Sequence, residues 1–311
     1  MALSKPREVR RATAGRGGDP ASGLVSAVPP HAVASEDASR RRRRNLPLLI
    51  GGALVGIIAL LAVLAPLLAP YDPTGIEPAR RLSPPGGAHP LGTDRLGRDL
   101  LSRVLYGGRL ALTVGTIAVM IGAGAGVPLG LASGYRGGRL DAVLMRVVDG
   151  MMAFPALLLA ITVVAALGPG HLQAMAAIGV VLIPIFARLT RAQTLAARGE
   201  EFVLAGRALG ATELRIVLLH ILPNIAGPLL VQATVAFSGA VLAEASLSYL
   251  GLGTQPPTPS WGGMLQEARD VLFVARWMAI WPGVAIATTV LGLNLLGDGL
   301  RDLIDPRLRR Q

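Results

Sequence analysis

A chain of 311 residues that is 52% hydrophobic and only 16% charged is too apolar for an ordinary soluble domain, where about 25% of residues are charged. Its net charge of +11 does not point to nucleic acid: ten of the 30 basic residues precede the first apolar run, and no basic face is interleaved with aromatics. The absence of cysteine excludes disulfides, zinc thiolates and iron–sulfur clusters, and the single lysine, Lys5, excludes a Walker-type phosphate loop.

Residues 1–45 are polar and rich in Gly, Pro, Ser and Arg, the composition of a disordered basic tail. The tail closes on Arg40–Arg44, read as an anchor for anionic membrane lipid rather than as an export signal. Apolar runs of about 20 residues then predict six membrane spans, at 46–69, 109–134, 148–167, 172–190, 225–250 and 278–297. The expected fold is all-α and polytopic. It divides into a first span with its loop (46–108), a transmembrane core (109–297) and a C-terminal tail (298–311). An even number of spans puts both ends on one side. The tails and even-numbered loops hold most of the Lys and Arg, so both termini are expected in the cytoplasm of a cell membrane.

The loop from Tyr71 to Gly108 is then external. Its arginines are nearly balanced by Asp72, Glu77, Asp94 and Asp99, so pairing within a folded loop is expected. Asp94, Arg98, Asp99 and Arg103 either staple this loop or meet a partner. Trp261, Trp277 and Trp281 fall near one membrane face, as an aromatic belt would. In the second span, Gly122, Gly126, Gly130 and Gly134 form a smooth ridge at four-residue spacing, suited to close helix approach. It serves either packing within this chain or a seam with a second subunit. Pro66, Pro128, Pro155, Pro184 and Pro282 are expected to mark kinks. Glu244 in the fifth span either lines a pathway or is hydrogen-bonded within the bundle. Asp149 and Arg188 are read as structural.

A polar stretch, 198–224, separates the fourth and fifth spans and cannot lie in hydrocarbon. From Glu201 it reads as a helix, stopped by Gly210. Thr212 then caps a second helix whose apolar face is Ile216, Leu218, Leu219 and Ile221, and Pro223 ends it before the fifth span. Both helices are expected to lie parallel to the membrane surface. Small residues (Ala205, Gly206, Ala208) mark a helix that something approaches closely. The segment is a docking element or an ordinary interfacial helix-turn. No H-E-x-x-H or G-x-S-x-G occurs, and the four histidines are scattered, so no catalytic site, metal or cofactor is expected.

This stretch resembles the coupling loop of ATP-binding-cassette importer permeases, whose pattern is E-A-A, three residues, G, nine residues, I-x-L-P. Leu204-Ala205-Gly206, Gly210, His220, Leu222 and Pro223 stand at those positions, with Leu204, Gly206 and His220 departing from it. Glu201 stands three residues upstream as an alternative acidic contact. His89-Pro90-Leu91-Gly92-Thr93-Asp94 with Gly97-Arg98-Asp99 and Ser102-Arg103 is similar to the external motif of dipeptide, oligopeptide and nickel permeases. So are Leu247–Gly253 with Trp261-Gly262, Gly297–Asp302 with Asp305-Pro306-Arg307, and Asp149 with Phe154-Pro155. The resemblance implies a type I importer permease moving peptides or a related solute such as nickel. It implies a second permease subunit, two cytoplasmic ATPase subunits gripping Glu201–Pro223, and an extracytoplasmic binding protein. An ion-coupled carrier is the alternative, but it needs ionisable groups in several spans and Glu244 is nearly alone.

Overall fold

The computed structural model describes residues 30–304. Of the expected basic tail, residues 1–29 lie outside the described part, as do Asp305, Pro306 and Arg307 of the C-terminal motif. Pro30–Arg42, in a unit separate from Arg43 onward, is helical and belongs to α1 (Pro30–Val63). The first helix thus starts well before residue 46. From Arg43 the elements in order are the rest of α1, α2 (Ala65–Leu68), α3 (Leu100–Arg136), α4 (Gly138–Met152) and α5 (Ala156–Leu167). There follow α6 (His171–Ala197), α7 (Glu201–Ala208), α8 (Glu213–Arg215), a π-helical turn (Ile216–Ile221), α9 (Leu222–Tyr249), α10 (Trp261–Arg269) and α11 (Trp277–Ile304).

Five helices among the described residues are long and apolar enough to cross a membrane: Leu46–Val63, Leu100–Arg136, His171–Ala197, Glu213–Tyr249 and Trp277–Ile304. The third expected span is not one rod. Its sequence is split between α4 and α5, which meet at 91°, and counting that pair once gives six. The break falls at Ala153–Pro155, because the residue before a proline is driven out of the helical region. Pro128, Pro184 and Pro282, by contrast, lie inside continuous helices. The second span begins at Leu100 rather than 109. Asp99 caps it, accepting hydrogen bonds from Ser102 N and Ser102 Oγ, both at 2.8 Å. At 1.5 Å per residue, its 37 residues span about 55 Å, so its ends stand clear of a hydrocarbon core of about 30 Å.

The centre of the fold is the α3–α6 pair, and the glycine ridge is why. A methyl built on Gly122, Gly126, Gly130 or Gly134 would overlap α6: Leu182 Cβ at 2.5 Å, Ile183 O at 2.6 Å, Ala187 O at 2.5 Å and Arg191 O at 2.8 Å respectively. The ridge is therefore used for packing within the chain. Val114, Ala118, Val164, Ile178, Phe186 and Leu247 fill the core around it. α1 and α11 also pack through glycines. Gly51 lies against Leu296 and Gly299 against Leu48, while Gly297 lies against Thr234 of α9.

Candidate functional site

The segment between α6 and α9 is a folded element, not a linker. α7 ends in a left-handed glycine turn: Gly210 has φ +78°, Ala211 N donates to Gly206 O at 3.0 Å and Gly210 N to Arg207 O at 2.9 Å. The backbone at Gly210 needs a residue without a Cβ penalty, and the sequence supplies it. Thr212 then caps α8, its hydroxyl accepting from Arg215 N at 3.4 Å. The expected second surface helix is corrected here. α8, the π turn and α9 run on as one 37-residue helical span, Glu213–Tyr249, so nothing ends at Pro223. The expected single apolar face is split as well. Residues five apart lie about 140° from each other around an α-helix. The wider π turn brings Ile216 and Ile221 together in the core and leaves Leu218 and Leu219 exposed. Pro223 has no N–H to give, and Asn224 Nδ2 takes up His220 O at 2.6 Å.

Burial fastens this element to three helices. Val203, Ile216, Ile221 and Ile225 share a core with Leu131 and Tyr135 at the end of α3 and Ala197 at the end of α6. Arg207 stacks its guanidinium 5.4 Å over the Tyr135 ring, and Arg198 Nη1 donates to Tyr135 O at 3.0 Å. Gly206 faces inward: a methyl added there would lie 3.8 Å from Ile216 Cγ1 and 4.0 Å from His220 Nε2. Its close neighbour is thus the following helical turn of the same chain. The outer side is apolar and open: Leu209 is 88% exposed, Leu214 69% and Leu219 63%, with Leu204 beside them. Glu201, Ala205 and Thr212 are also on the accessible side.

Asp94, Arg98, Asp99 and Arg103 are brought together at the α2–α3 loop, and all four are buried. Asp94 holds Arg98 Nε at 2.5 Å and accepts from Leu96 N and Arg98 N. Arg98 Nη2 reaches Glu267 Oε2 of α10 at 2.6 Å, and Arg103 lies 3.5 Å from the same carboxylate. Asp99 Oδ1 lies 2.9 Å from His89 Nδ1. Gly97, with φ +79°, packs so tightly on Glu77 that a methyl there would overlap the Glu77 carbonyl. The four are staples of the loop. Sequence reading missed Glu267 and His89 as their partners. Glu267 is 169 residues from Arg98 and leaves no local signal. Two of the tryptophans are tied into the protein. Trp261 is buried and donates to Val104 O at 2.9 Å, and Trp277 donates to Thr93 O at 3.3 Å.

Glu244 is 2% exposed and accepts from Ser248 Oγ at 2.6 Å and Thr254 Oγ1 at 3.3 Å. It ties the end of α9 to the loop that follows. A groove of about 590 Å³ between α5, α9, α10 and α11 is lined by its neighbours Ala245 and Ser246, with Leu157, Leu242 and Tyr249, but not by Glu244. Asp149 and Arg188 pair at 2.5 Å in an exposed position. A bidentate pair not foreseen, Asp141 with Arg191 at 2.6 and 2.7 Å, joins α4 to α6.

Residues 126–310 match the family of binding-protein-dependent transport system inner membrane components. The chain belongs to this family. Residues 35–85 match the N-terminal transmembrane domain of oligopeptide transport permease C. The permease is 42% identical over 273 residues to the dipeptide transport system permease protein DppC of Alkalihalophilus pseudofirmus, covering 88% of this chain and 90% of that one. It is 45% identical over 274 residues to DppC of Haemophilus influenzae, covering 86% and 93%. It is 42% identical over 271 residues to the glutathione transport system permease protein GsiD of Pectobacterium atrosepticum, covering 87% and 90%. The permease is accordingly the multi-pass inner-membrane component of an ATP-binding-cassette importer. ATP hydrolysis resides on separate subunits, and the ion-coupled carrier is excluded.

Proposed function

We propose that this permease pairs with a second, different permease to form a peptide pathway beneath an extracytoplasmic binding protein, with two ATPase subunits on the cytoplasmic side. Both termini are cytoplasmic in this reading, as the charge bias of the tails and loops favours. Peptide cargo is favoured because relatives at 42–46% identity carry peptide-transport names, although one of them is named for glutathione. The second subunit is needed because the groove on this chain is apolar and open at one side, which is no enclosed route for a polar solute.

The observation that carries the mechanism is the leucine-studded corner at Leu204, Leu209 and Leu214, rigidly seated on α3, α6 and α9. An ATPase cleft closing on this corner displaces the spans because the corner has no soft joint to absorb the push. Glu201, Ala205, Gly210, Thr212 and His220 shape that element, and Leu222 and Pro223 lead from it into the span. Binding at one site shifts a two-state equilibrium only through unequal affinity for the two states. A firmly seated corner is what gives ATP closure that inequality.

The chain has no cysteine, so Leu209→Cys supplies a unique thiol. In inside-out vesicles holding the whole transporter, that thiol is expected to cross-link to an ATPase subunit, with a yield that changes on adding ATP. Cross-links to lipid alone, or labelling in intact cells by an impermeant maleimide added outside, would overturn the reading.

A further inference from the structure

One arginine of the α2–α3 loop is left over. Arg98 and Arg103 share Asp94 and Glu267, Arg80 pairs with Glu77, and Arg95 with Asp270 at 2.8 Å. Arg81 is exposed and makes no ion pair among the described residues. It stands at the wall of a pocket of about 290 Å³ lined by Arg81, Arg95, Leu96, Arg98 and Glu267. The one carboxylate in that lining, Glu267, is already held by two guanidiniums, so the pocket keeps an uncompensated positive wall.

The backbone that carries Arg81 is constrained on its C-terminal side. Leu82, the next residue, has φ +53°, a left-handed conformation that a leucine takes only under constraint. Two contacts supply the constraint. Leu82 N donates to Asp94 O at 3.0 Å, and the Leu82 side chain packs on the cluster around Leu100, Trp261 and Met278. Thr93 N also donates to Ser83 O at 3.0 Å. Backbone strain of this kind persists only where surrounding structure over-determines it. Here it holds the backbone beside Arg81 at the pocket wall. The second wall is adjustable: Arg95 and Asp270 are 38% and 54% exposed, and such a pair is worth little in water. A better-placed carboxylate can draw Arg95 away from Asp270 and be clamped by two guanidiniums.

We propose that the Arg81–Arg95 pocket receives an acidic side chain of the extracytoplasmic binding protein and sets the register in which that protein docks. This rests on the proposed orientation and on the family's dependence on a binding protein. An Arg pair presented at a rim acts on encounter and register more than on chemistry. Its loss therefore appears as weaker docking, with the transport cycle intact once docked.

The test uses the full complex, with both permeases and both ATPases in lipid nanodiscs, titrated with cargo-loaded binding protein while ATP hydrolysis is followed. Arg81→Glu is expected to raise the half-saturating concentration about tenfold at an unchanged maximal rate, while Arg81→Lys stays near wild type. Replacing acidic surface residues of the binding protein one at a time by lysine is expected to yield one that restores Arg81→Glu. An unaltered half-saturating concentration in Arg81→Glu overturns the proposal. A lower maximal rate with normal half-saturation also overturns it, placing Arg81 in folding or coupling. An effect that follows free cargo concentration with the binding protein saturating assigns the pocket to the cargo carboxylate and overturns it too. A wild-type complex that no binding protein stimulates is a different result, and refutes the functional reading beneath it.

Discussion

Replacing Gly130 by alanine adds one methyl group where the α3–α6 seam is closed mainly by backbone. That methyl would lie 2.5 Å from Ala187 O, 2.6 Å from Thr190 Cβ and 2.9 Å from Arg191 N. Two of the three are backbone atoms, which cannot swing away as a side-chain tip can. Ordinary contact needs a retreat of roughly 1 Å, and overpacking of this kind costs about 1–3 kcal/mol. Apolar area does not offset it, since lipid tails solvate a methyl as well as a neighbouring helix does. Because both helices are stiff, one methyl lifts the seam along its length. The double variant Gly126→Ala/Gly130→Ala should therefore cost less than the sum of its parts, the second methyl entering a gap already opened. Gly124→Ala is the matched control: it lies on the same helix with nothing within 4 Å. It should be neutral, or stabilising by about 0.5–1 kcal/mol through helix propensity. The assay is thermal unfolding of the assembled transporter in nanodiscs, followed by tryptophan fluorescence. The packing argument fails if Gly130→Ala unfolds no earlier than Gly124→Ala, or if the double variant is strictly additive.

Three further outcomes are expected. Gly210→Val forces a β-branched residue to φ +78°, at a cost of about 1–2 kcal/mol. The variant should still reach the membrane, but ATP hydrolysis should continue without uptake in vesicles; normal uptake would count against the corner as a coupling element. Arg98→Ala leaves Asp94 buried without its closest cation, and breaking a buried pair costs about 3–5 kcal/mol. Membrane-inserted protein should fall sharply, as read by immunoblot, and a normal amount with only docking impaired would contradict the stapling role. Glu244→Gln keeps an oxygen that can accept from Ser248 and Thr254. Uptake should stay near wild type, and a selective loss of uptake in a stable protein would return Glu244 to the pathway.

The spans were legible because hydrocarbon thickness demands long apolar runs, and the chain meets that demand nearly everywhere. Gly210 and Thr212 were legible for a local reason: a left-handed turn and an N-cap each depend on one residue and its near neighbours. The kink expected at Pro155 is the 91° bend between α4 and α5, but its sequence did not set it apart from the other prolines. Pro128 and Pro184 have the same chemistry and sit in unbroken helices, so whether a proline breaks a span depends on what packs around it. The π turn was hidden because Ile216 with Leu219 and Leu218 with Ile221 each have the three-residue spacing of α-helical neighbours, and only packing on Leu131 and Tyr135 selects Ile216 and Ile221 for burial. The loop charges advertised pairing but not partners, since Arg98 and Arg103 meet a carboxylate on α10.

The placement of rigidity constrains how this permease can move. α3 and α6 are locked by four glycine contacts, so the two helices travel as one body. The corner at Leu209 is seated on the ends of both, and α8 continues into α9 with no intervening loop. A push at the corner is therefore shared by α3, α6 and the start of α9 alike. Relative motion has to arise where contacts are looser. The 91° bend between α4 and α5 is one such place, held to α6 by the partly exposed pairs Asp141–Arg191 and Asp149–Arg188. Of these, Asp149–Arg188 is the contact that a conformational cycle can make and break cheaply, since an exposed pair contributes only about 0–1 kcal/mol, whereas the bidentate Asp141–Arg191 pair holds α4 on α6 more firmly.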